Sequence, residues 1–485
     1  MNDILQLSPG EVWRHFHSLT RIPRPSGHEE KIREFIAGFG RALGLETIVD
    51  QAGNVIIRKP ATPGMENRKG VILQAHLDMV PQKNSDTRHD FERDPIEPFV
   101  EGGWVRARGT TLGADNGMGV AAAMAVIEST TIPHGPIEAL FTSEEEAGMT
   151  GARGLQPGVL RGGILMNLDS EDEGELFIGC AGGLDAIATF TFQERPVPPG
   201  HTGIRIEVTG LKGGHSGMDI HLGRGNANKI MNRLLHEGYA GEGMLLGSIE
   251  GGSLRNAIPR ESFAHAAVRT EKCGELLERL SVLAGKIKAE LAAVEPGLCI
   301  EIVRAKLPLS VIEEGVLEKM LRAVHACPNG VMRMSDGMEA LVETSNNLAI
   351  VSSGIGKIVV ECLLRSSVDS ARDDLAKMIG SLFALAGAET LFGGGYPGWK
   401  PDPGSPILKV MRKIYAEKFG KVPEIRAVHA GLECGIIGGA YPGLDMISFG
   451  PTIRHPHSPD ERIEISSVRK FQEFLVATLA AVPVK

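Results

Sequence analysis

The sequence contains no run of about 18 consecutive apolar residues, the minimum for a membrane-spanning helix. Its first residues, MNDILQLSPGEVW, have neither the basic segment nor the apolar segment of a secretory signal peptide. The six cysteines are scattered and include no Cys-x-x-Cys pair. These absences argue against a membrane or secreted protein, so we expect a cytoplasmic chain with reduced thiols.

Aromatic residues are scarce, at 5% of the chain, and positive charge is not in excess. There are 51 Lys and Arg residues against 60 Asp and Glu residues, which gives a net charge of −9. Binding to nucleic acid or to anionic lipid normally requires a basic surface, and single-stranded nucleic acid also needs aromatic stacking platforms. We therefore expect no nucleic-acid partner and no membrane partner.

Glycine, in contrast, is abundant, with 61 residues of 485, or about 13%, against a usual figure of about 7%. The glycines follow no Gly-x-y period, which excludes collagen, and they imply many tight turns and close backbone approaches, as in large α/β enzymes. Apolar residues make up 42% of the chain, so it can bury large cores. Length alone predicts about three domains.

Short apolar runs alternate with helical patterns in the first part of the chain. The predicted strands are VILQAHLDMV (71–80), PIEALFTSEEE (136–146) and GGILMNLDSED (162–172). Between the first two lies a predicted helix of small residues, GMGVAAAMAVIES (117–129). Such alternation favours an α/β sheet with helices on both faces.

Two segments rich in glycine and proline, GCAGGL (179–184) and FGGGYPGWKPDPG (392–404), interrupt this pattern. The chain between them has its own series of strands and helices, which we interpret as an inserted α/β domain. The predicted organisation is therefore one discontinuous domain, formed by 1–183 and 397–485, around an inserted domain, 184–396.

Chemically active side chains follow the predicted strands. His76 and Asp78 lie at the end of the first strand, two residues apart, so their side chains point to the same side. One of them could bind a metal ion while the other orients it, because metal-bound imidazoles usually bond a carboxylate or carbonyl through the second ring nitrogen. Taken alone, a His-x-Asp pair is more often a surface pair.

Three further carboxylate signals and a second histidine accompany this pair. Asp115 lies in a glycine-rich turn, Glu144 to Glu146 follow the strand IEALF, Asp169 ends another strand, and His457 lies in the proline-restrained loop HPHSPDE. In isolation, Asp115 is more often a local cap, and a run of like charges is normally solvated. However, α/β folds form their sites at the carboxyl ends of the strands.

Taken together, two histidines and several carboxylates form a mixed nitrogen and oxygen donor set. This set suits Zn²⁺, with Mn²⁺ or Co²⁺ as substitutes. The number of donors suffices for two ions that share one bridging carboxylate, with a further glutamate free to act as a base.

The motifs AHLDMV, GADNGMGV, TSEEEAGMTGA, NLDSED and RHPHSPDE resemble, in order and spacing, those of the zinc-dependent exopeptidase and deacylase superfamily. This superfamily includes carnosinases, aminoacylases and succinyl-diaminopimelate desuccinylase. Within it, the chain is similar over essentially its whole length to the branch of bacterial aminoacyl-histidine (Xaa-His) dipeptidases. The resemblance implies a mixed-sheet α/β catalytic domain that binds two zinc ions, and it implies that 184–396 is a lid domain.

The resemblance also implies a role for each residue of the donor set. Asp115 is implied as the bridging carboxylate, and Asp78 as the carboxylate that orients His76. Glu145 is implied as the general base, which takes a proton from a metal-bridging water and passes it to the leaving amine. The implied metal ligands are His76, Asp115, Glu146, Asp169 and His457.

Glu144 and His455 have the side-chain types of metal ligands but do not match the family pattern. The acidic run is Glu-Glu-Glu where Asp-Glu-Glu is commoner, and aligning it on Ala147-Gly148 leaves Glu144 out of the ligand set. In the late loop, the pattern matches the histidine two residues after His455.

Four more residues are candidates for substrate binding. His215, in GGHSG, resembles the family's lid histidine, which would stabilise a developing oxyanion. Asn256 and Arg365 are candidates for the C-terminal carboxylate of a substrate, and Glu433 for its free α-amino group. Residue types alone also allow other roles. His215 could be a histidine in a turn, Arg365 a salt-bridge partner at the surface, and Glu433 a buried carboxylate that caps backbone amides.

The implied function is hydrolysis of unblocked dipeptides such as Xaa-His by a homodimeric enzyme with two zinc ions per chain. The nearest alternative is N-acyl amino acid deacylation on the same metal core, which needs no free α-amine. A metal-containing scaffold without activity is disfavoured, because every implied ligand and the implied base are present in the chain.

Overall fold

We describe residues 4–485 in a computed structural model of the chain. Their contacts define two compact units. The first contains the described chain up to Gly179 together with Trp399–Ala427 and Leu432–Lys485, and the second contains Cys180–Gly398 and Val428–Gly431. The division of the chain into a discontinuous domain, 1–183 with 397–485, and an inserted domain, 184–396, stays a prediction. The return of 428–431 to the second unit had no counterpart in the sequence analysis.

The first unit contains an eight-stranded mixed sheet. Its strands, in spatial order, are Glu46–Val49, Val55–Lys59, Ile137–Thr142, Val71–His76, Ile164–Asn167, Asp445–Ser448, Glu175–Cys180 and Glu424–Val428. The third to sixth strands in this order run parallel, whereas the first two pair antiparallel. Three of the parallel strands are buried along their whole length, as expected for apolar strands that are covered on both faces.

A smaller sheet and the helices complete this unit. The smaller sheet contains Ile453–Arg454, Arg462–Glu464, Trp104–Ala107 and Pro98–Glu101. The α-helices are Gly10–Thr20, Glu30–Ala42, Ala114–Glu128, Glu145–Gly148, Thr150–Gly154, Pro406–Phe419, Glu433–Ala440 and Ile465–Ala481.

The small-residue helix Ala114–Glu128 packs against the strand Val71–His76 and is buried along almost its whole length. A side chain at Gly119 would bring its Cβ within 2.6 Å of the Leu168 carbonyl oxygen and into contact with the Asn116 side chain. Glycine therefore lets the helix lie directly on the loop that carries Asp169. This close approach brings the first turn of the helix to the carboxyl ends of the strands.

The predicted strands are longer than the observed ones at their carboxyl ends. The strand predicted over 136–146 ends at Thr142, and a four-residue helix, Glu145–Gly148, takes up part of the acidic run. Between them the chain turns sharply, because Glu144 has a left-handed backbone with φ of 50°. The turn presents successive glutamates in different directions.

The second unit contains a nine-stranded sheet in which all recorded pairings are antiparallel. Eight strands follow in the spatial order Cys299–Ala305, His201–Thr209, Ser262–Arg269, Leu245–Gly251, Val342–Gly354, Lys357–Ser366, Gly182–Thr191 and Glu389–Tyr396, and Gly330–Met334 pairs with Val342–Gly354. Two short pairs are Glu194–Pro196 with Ser310–Ile312, and Gly214–His215 with Ala257–Ile258. The mixed α/β class that the sequence predicts is confirmed.

The helices of the second unit are Ala227–Glu242, Cys273–Leu291, Glu314–Ala326 and Asp369–Leu385. In Cys273–Leu291 the buried residues Leu276, Leu280, Ala284 and Ile287 recur at intervals of three or four, which is the spacing of one helix face. Leu276, Leu280 and Ile287 belong to the apolar core of this unit. Over 4–485, no helix has the length and apolar character that crossing a membrane requires.

Truncation of this core should lower stability. Leu280 is 0% exposed, so Leu280→Ala should leave a cavity and cost about 2–5 kcal/mol, which shifts the urea unfolding transition of the full chain to lower denaturant. Val282, 55% exposed on the same helix, is the matched control, and Val282→Ala should stay within about 0.5 kcal/mol. Equal shifts for the two variants would contradict the assigned helix face.

Candidate metal centre

The candidate metal centre lies where the parallel strands of the first unit end. His76 is the last residue of the strand Val71–His76, and Asp169 follows the strand Ile164–Asn167 by two residues. The short helix that starts at Glu145 follows the strand Ile137–Thr142. Because these strands are parallel, their carboxyl ends lie at one edge of the sheet.

A first group of donor atoms surrounds His76 Nε2. Asp115 Oδ1 lies 3.1 Å from this nitrogen, and Asp169 Oδ1 lies 3.3 Å from it. A second group surrounds His457 Nε2, with Asp115 Oδ2 at 3.2 Å and Glu146 Oε1 at 2.9 Å. The two oxygens of Asp115 therefore face different histidines, which is the arrangement of a carboxylate that bridges two ions.

These residues fit divalent metal ions. Ligand atoms of His76, Asp115 and Glu146 all lie within 4.8 Å of one another. Glu146 Oε1 and Asp169 Oδ1 are buried without a hydrogen-bond partner, although each lies within 3.3 Å of an imidazole nitrogen. These oxygens therefore lie close to the imidazole nitrogens without the alignment that a hydrogen bond requires. Spacings of this size are those of neighbouring ligands around an ion bound at about 2.0–2.2 Å.

The Asp78 carboxylate supports this arrangement from behind. Its Oδ1 lies 3.4 Å from His76 Nδ1, whose hydrogen-bond partner is the Asp78 backbone carbonyl at 3.2 Å. The carboxylate also accepts backbone N–H groups of Glu145 at 3.0 Å and Glu146 at 3.1 Å, and the Ser26 hydroxyl at 2.8 Å. Although burial opposes ionisation, the bonds and charge of His76 lower the pKa of Asp78 to about 2. Asp78 therefore holds His76 and the start of the acidic helix together.

The metal-free centre has crowded negative charge. Burial, followed by the charges of Asp169 and Glu433, raises the pKa of Glu145 well above its usual value, although His76 opposes this. Burial likewise raises the pKa of Asp169 to about 6, again against the effect of His76. The hydrogen bond to Asp115, together with the negative charge of Glu146, raises the pKa of His457 to about 11. Protons therefore supply some of the positive charge that this set of carboxylates requires.

Glu433 lies close to this edge, at the first turn of the helix Glu433–Ala440. One carboxylate oxygen, Oε2, accepts hydrogen bonds from Gln74 at 2.6 Å and Thr142 at 2.8 Å, whereas the other, Oε1, is buried without a partner. Burial raises its pKa to about 7. The structure thus supports a buried carboxylate with one free acceptor, rather than one that caps backbone amides.

The other three substrate-binding candidates lie together in the second unit, around Ser216. The Ser216 backbone N–H donates to the Asn256 carbonyl at 2.8 Å, and Arg365 Nε donates to the Ser216 hydroxyl at 3.3 Å. His215 Nδ1 accepts backbone N–H groups of Gly217 and Met218, so its proton lies on Nε2, which can donate outward. His215 is therefore held in one tautomer.

Arg365 is buried and donates a second hydrogen bond, to the Tyr396 hydroxyl at 3.0 Å. In the described part of the chain, no carboxylate forms an ion pair with the Arg365 guanidinium, and Asp185 pairs with Arg255 instead. Arg365 is therefore not the surface salt-bridge partner that its residue type also allowed. A buried guanidinium without a carboxylate favours an anionic ligand.

Three residues that sequence analysis missed also contribute. Arg24 is buried and donates to the carbonyls of Leu77 and Asp78 at 2.8 and 2.9 Å, which fixes the chain after His76. Glu461 accepts backbone N–H groups of 112–115. In the second unit, His429 Nε2 lies 2.7 Å from the Ser345 hydroxyl, and burial with the nearby charge of Arg365 lowers its pKa to about 3. Glu461 lies inside the motif RHPHSPDE and His429 lies four residues before Glu433, but Arg24 had no sequence signal.

Comparison with known proteins gives the class of this chain. The model of peptidase family M20/M25/M40 matches residues 72–481, which is most of the chain. The chain therefore belongs to this family of peptidases, which are hydrolases that act on peptide bonds. The family resemblance stated from the motifs is confirmed.

Individual relatives extend over the whole length. The chain is 47% identical over 486 aligned residues to the cytosol non-specific dipeptidase of Escherichia coli (strain K12), with 100% of both chains covered. The crystal structure of the aminoacylhistidine dipeptidase from Vibrio alginolyticus matches with a TM-score of 0.95 and 48% identity, over 100% of this chain and 99% of that one. Aminopeptidase PepT from Bacillus cereus ATCC 10987 shares the fold, with a TM-score of 0.57, 17% identity and coverage of 98% and 99%.

Proton binding at His457 should make the metal-free protein sensitive to alkaline pH. Its pKa rises from 6.5 to about 11 on folding, so between these values the folded chain holds a proton that the unfolded chain releases. Stability linked to His457 is therefore fully present below about pH 6.5 and is lost as pH rises towards 11. The Tm of chelated wild-type protein should fall more steeply between about pH 7 and pH 10 than that of His457→Gln.

The matched control is His455→Gln, which changes an exposed histidine of the same loop. Its Tm should follow the wild-type profile. The Tm of each protein is recorded against pH by scanning calorimetry in the presence of a chelator. If Tm falls with pH in the same way for all three proteins, His457 does not hold the stabilising proton.

Proposed function

We propose that this protein is a two-metal dipeptidase that hydrolyses unblocked dipeptides, Xaa-His among them. The observation that carries the proposal is the position of Asp115, whose two oxygens lie within 3.2 Å of two different imidazole nitrogens. The names of the relatives from E. coli and V. alginolyticus, a non-specific dipeptidase and an aminoacylhistidine dipeptidase, support this substrate class.

The proposed metal ligands divide into two sets that share Asp115. His76 and Asp169 would hold one ion, and Glu146 and His457 the other. Two zinc ions, with Co²⁺ or Mn²⁺ as substitutes, would act as Lewis acids on the scissile carbonyl and lower the pKa of water. Asp78 would keep His76 in the orientation that leaves its Nε2 free for the metal.

Glu145 is the proposed general base. Its carboxylate belongs to the same crowded buried set as Asp169 and Glu146, and burial favours its protonated form. A carboxylate with a raised pKa can accept a proton from the attacking water and return it to the leaving amine. Its backbone N–H donates to Asp78 at 3.0 Å, so the base and His76 share one positioning group.

Substrate recognition is proposed to use charge at both ends of the dipeptide. Glu433, with one unpartnered oxygen, would bind the free α-amino group. Arg365, with Asn256, would bind the C-terminal carboxylate, because its buried guanidinium bonds only hydroxyl groups in the described chain. His215 would donate its Nε2 proton to the oxyanion that develops on the carbonyl oxygen.

A cytosolic location and a homodimeric state complete the proposal. The name of the E. coli relative supports the location, and the family resemblance alone supports the dimer.

The role of Glu145 can be tested by substitution. Glu145→Gln should lower kcat on an Xaa-His dipeptide by about 10²–10⁴-fold, because an amide cannot take up the proton, while zinc content stays at the wild-type level. Glu144→Gln is the matched control, since Glu144 lies in the same acidic run and bonds the Thr150 hydroxyl instead. Both proteins are stripped with a chelator, reloaded with Zn²⁺, Co²⁺ or Mn²⁺, and measured by steady-state kinetics and metal analysis. Full turnover by zinc-loaded Glu145→Gln would exclude the general base.

The substrate class can be tested by blocking the amine. N-acetylation of a dipeptide should lower kcat/KM by about 10–100-fold, because it removes a charged group that Glu433 would bind. Glu433→Gln should lower kcat/KM for the free dipeptide, so that the values for the free and the N-acetylated dipeptide lie closer together than in the wild-type protein. Equal or faster hydrolysis of the N-acylated substrate would favour the alternative function, N-acyl amino acid deacylation on the same metal core.

A further inference from the structure

Glu461 is a buried carboxylate for which the proposed reaction has no chemical role. It is 2% exposed, and both of its oxygens accept backbone hydrogen bonds. Oε2 accepts the N–H groups of Leu112 at 2.7 Å and Gly113 at 2.9 Å, and Oε1 accepts those of Ala114 at 2.7 Å and Asp115 at 3.2 Å. Among the described residues, no lysine or arginine side chain forms an ion pair with it. Four consecutive amides thus provide its direct stabilisation.

These four amides determine where the Asp115 side chain can point. They include the N–H of Asp115 itself and the three before it, in a turn where Gly113 has a left-handed backbone with φ of 69°. A second buried ion holds the same turn from another side, because Arg24 donates to the Gly113 carbonyl at 2.5 Å. Because the N–H of Gly113 bonds Glu461 and its carbonyl bonds Arg24, the turn has little freedom to rotate Asp115.

Glu461 also fixes the other side of the centre. It lies four residues after His457, in the loop whose prolines already restrict the backbone. Its side chain therefore joins the loop that carries His457 to the turn that carries Asp115. The same loop and turn carry His457 Nε2 and Asp115 Oδ2, which lie 3.2 Å apart.

We propose that Glu461 is a positioning residue for the metal centre, which holds Asp115 and His457 at the separation that one ion requires. The inference rests on the proposed function, since it requires metal at these two residues. Groups that orient metal ligands typically contribute about 10–100-fold to metal affinity. Because Glu461 bonds only backbone, its effect should act through the placement of the two ligands and not through contact with the ion or the substrate.

Glu461→Gln is the primary test, because glutamine keeps the shape but directs an NH₂ group at two N–H donors. The affinities for Co²⁺ and Zn²⁺, measured by competition with a chromophoric chelator, should fall by about 10–100-fold. The visible absorption of the Co²⁺-loaded protein should change as well, because it reports coordination geometry. Asp460→Asn is the matched control: Asp460 is adjacent, its side chain is 75% exposed, and it pairs with Arg106 at the surface. It should keep wild-type affinity and spectrum.

The outcomes separate positioning from a structural role and from failure of the proposed function. Wild-type affinity and an unchanged Co²⁺ spectrum in Glu461→Gln would overturn the inference, even if the chelated variant melts at a lower temperature. If that variant does not fold, Glu461→Asp, which keeps the charge and shortens the reach by one methylene, takes its place under the same criteria. Wild-type protein that binds no Co²⁺ or Zn²⁺ would overturn the proposed metal centre itself, and this inference with it.

Discussion

The carboxylate of Asp115, placed between two imidazoles, is the interaction on which the rest of the centre depends. Each of its oxygens faces one histidine, at 3.1 and 3.2 Å, and the remaining carboxylates converge on the same two nitrogens. Such a buried set of negative groups is stable only with positive charge among them. In the metal-free chain, burial raises the pKa of Asp169, and the bond to Asp115 with the charge of Glu146 raises the pKa of His457, so both groups hold their protons more strongly than in water.

Buried charged side chains hold the loops that carry the donor residues. Arg24 and Glu461, of opposite charge, are both buried and bond backbone groups rather than other side chains. Asp78 bonds the imidazole of His76 on one side and the first amides of the acidic helix on the other. Rigid placement of this kind matters for a metal site, because its ligands must be held within about 0.5 Å of the geometry that the ion requires.

Family membership and geometry support different parts of the functional conclusion. The family model and the full-length relatives place the chain among peptidases. The substrate class is inferred from complementary charges, an unpartnered acceptor on Glu433 and a buried guanidinium on Arg365.

The sequence by itself determined the class of fold through its apolar periodicity, and the resemblance of its motifs to a known superfamily implied the candidate ligands, because both depend on residue types at fixed spacings along the chain. His76, Asp115 and Asp169 could be found because each follows a recognisable strand or turn. Only the tertiary structure decided which oxygen of Asp115 meets which histidine, and that Arg24 and Glu461 bind the loops. The physical reason is that these contacts join residues far apart in the chain, and their partners are backbone amides and carbonyls, which every residue type provides alike.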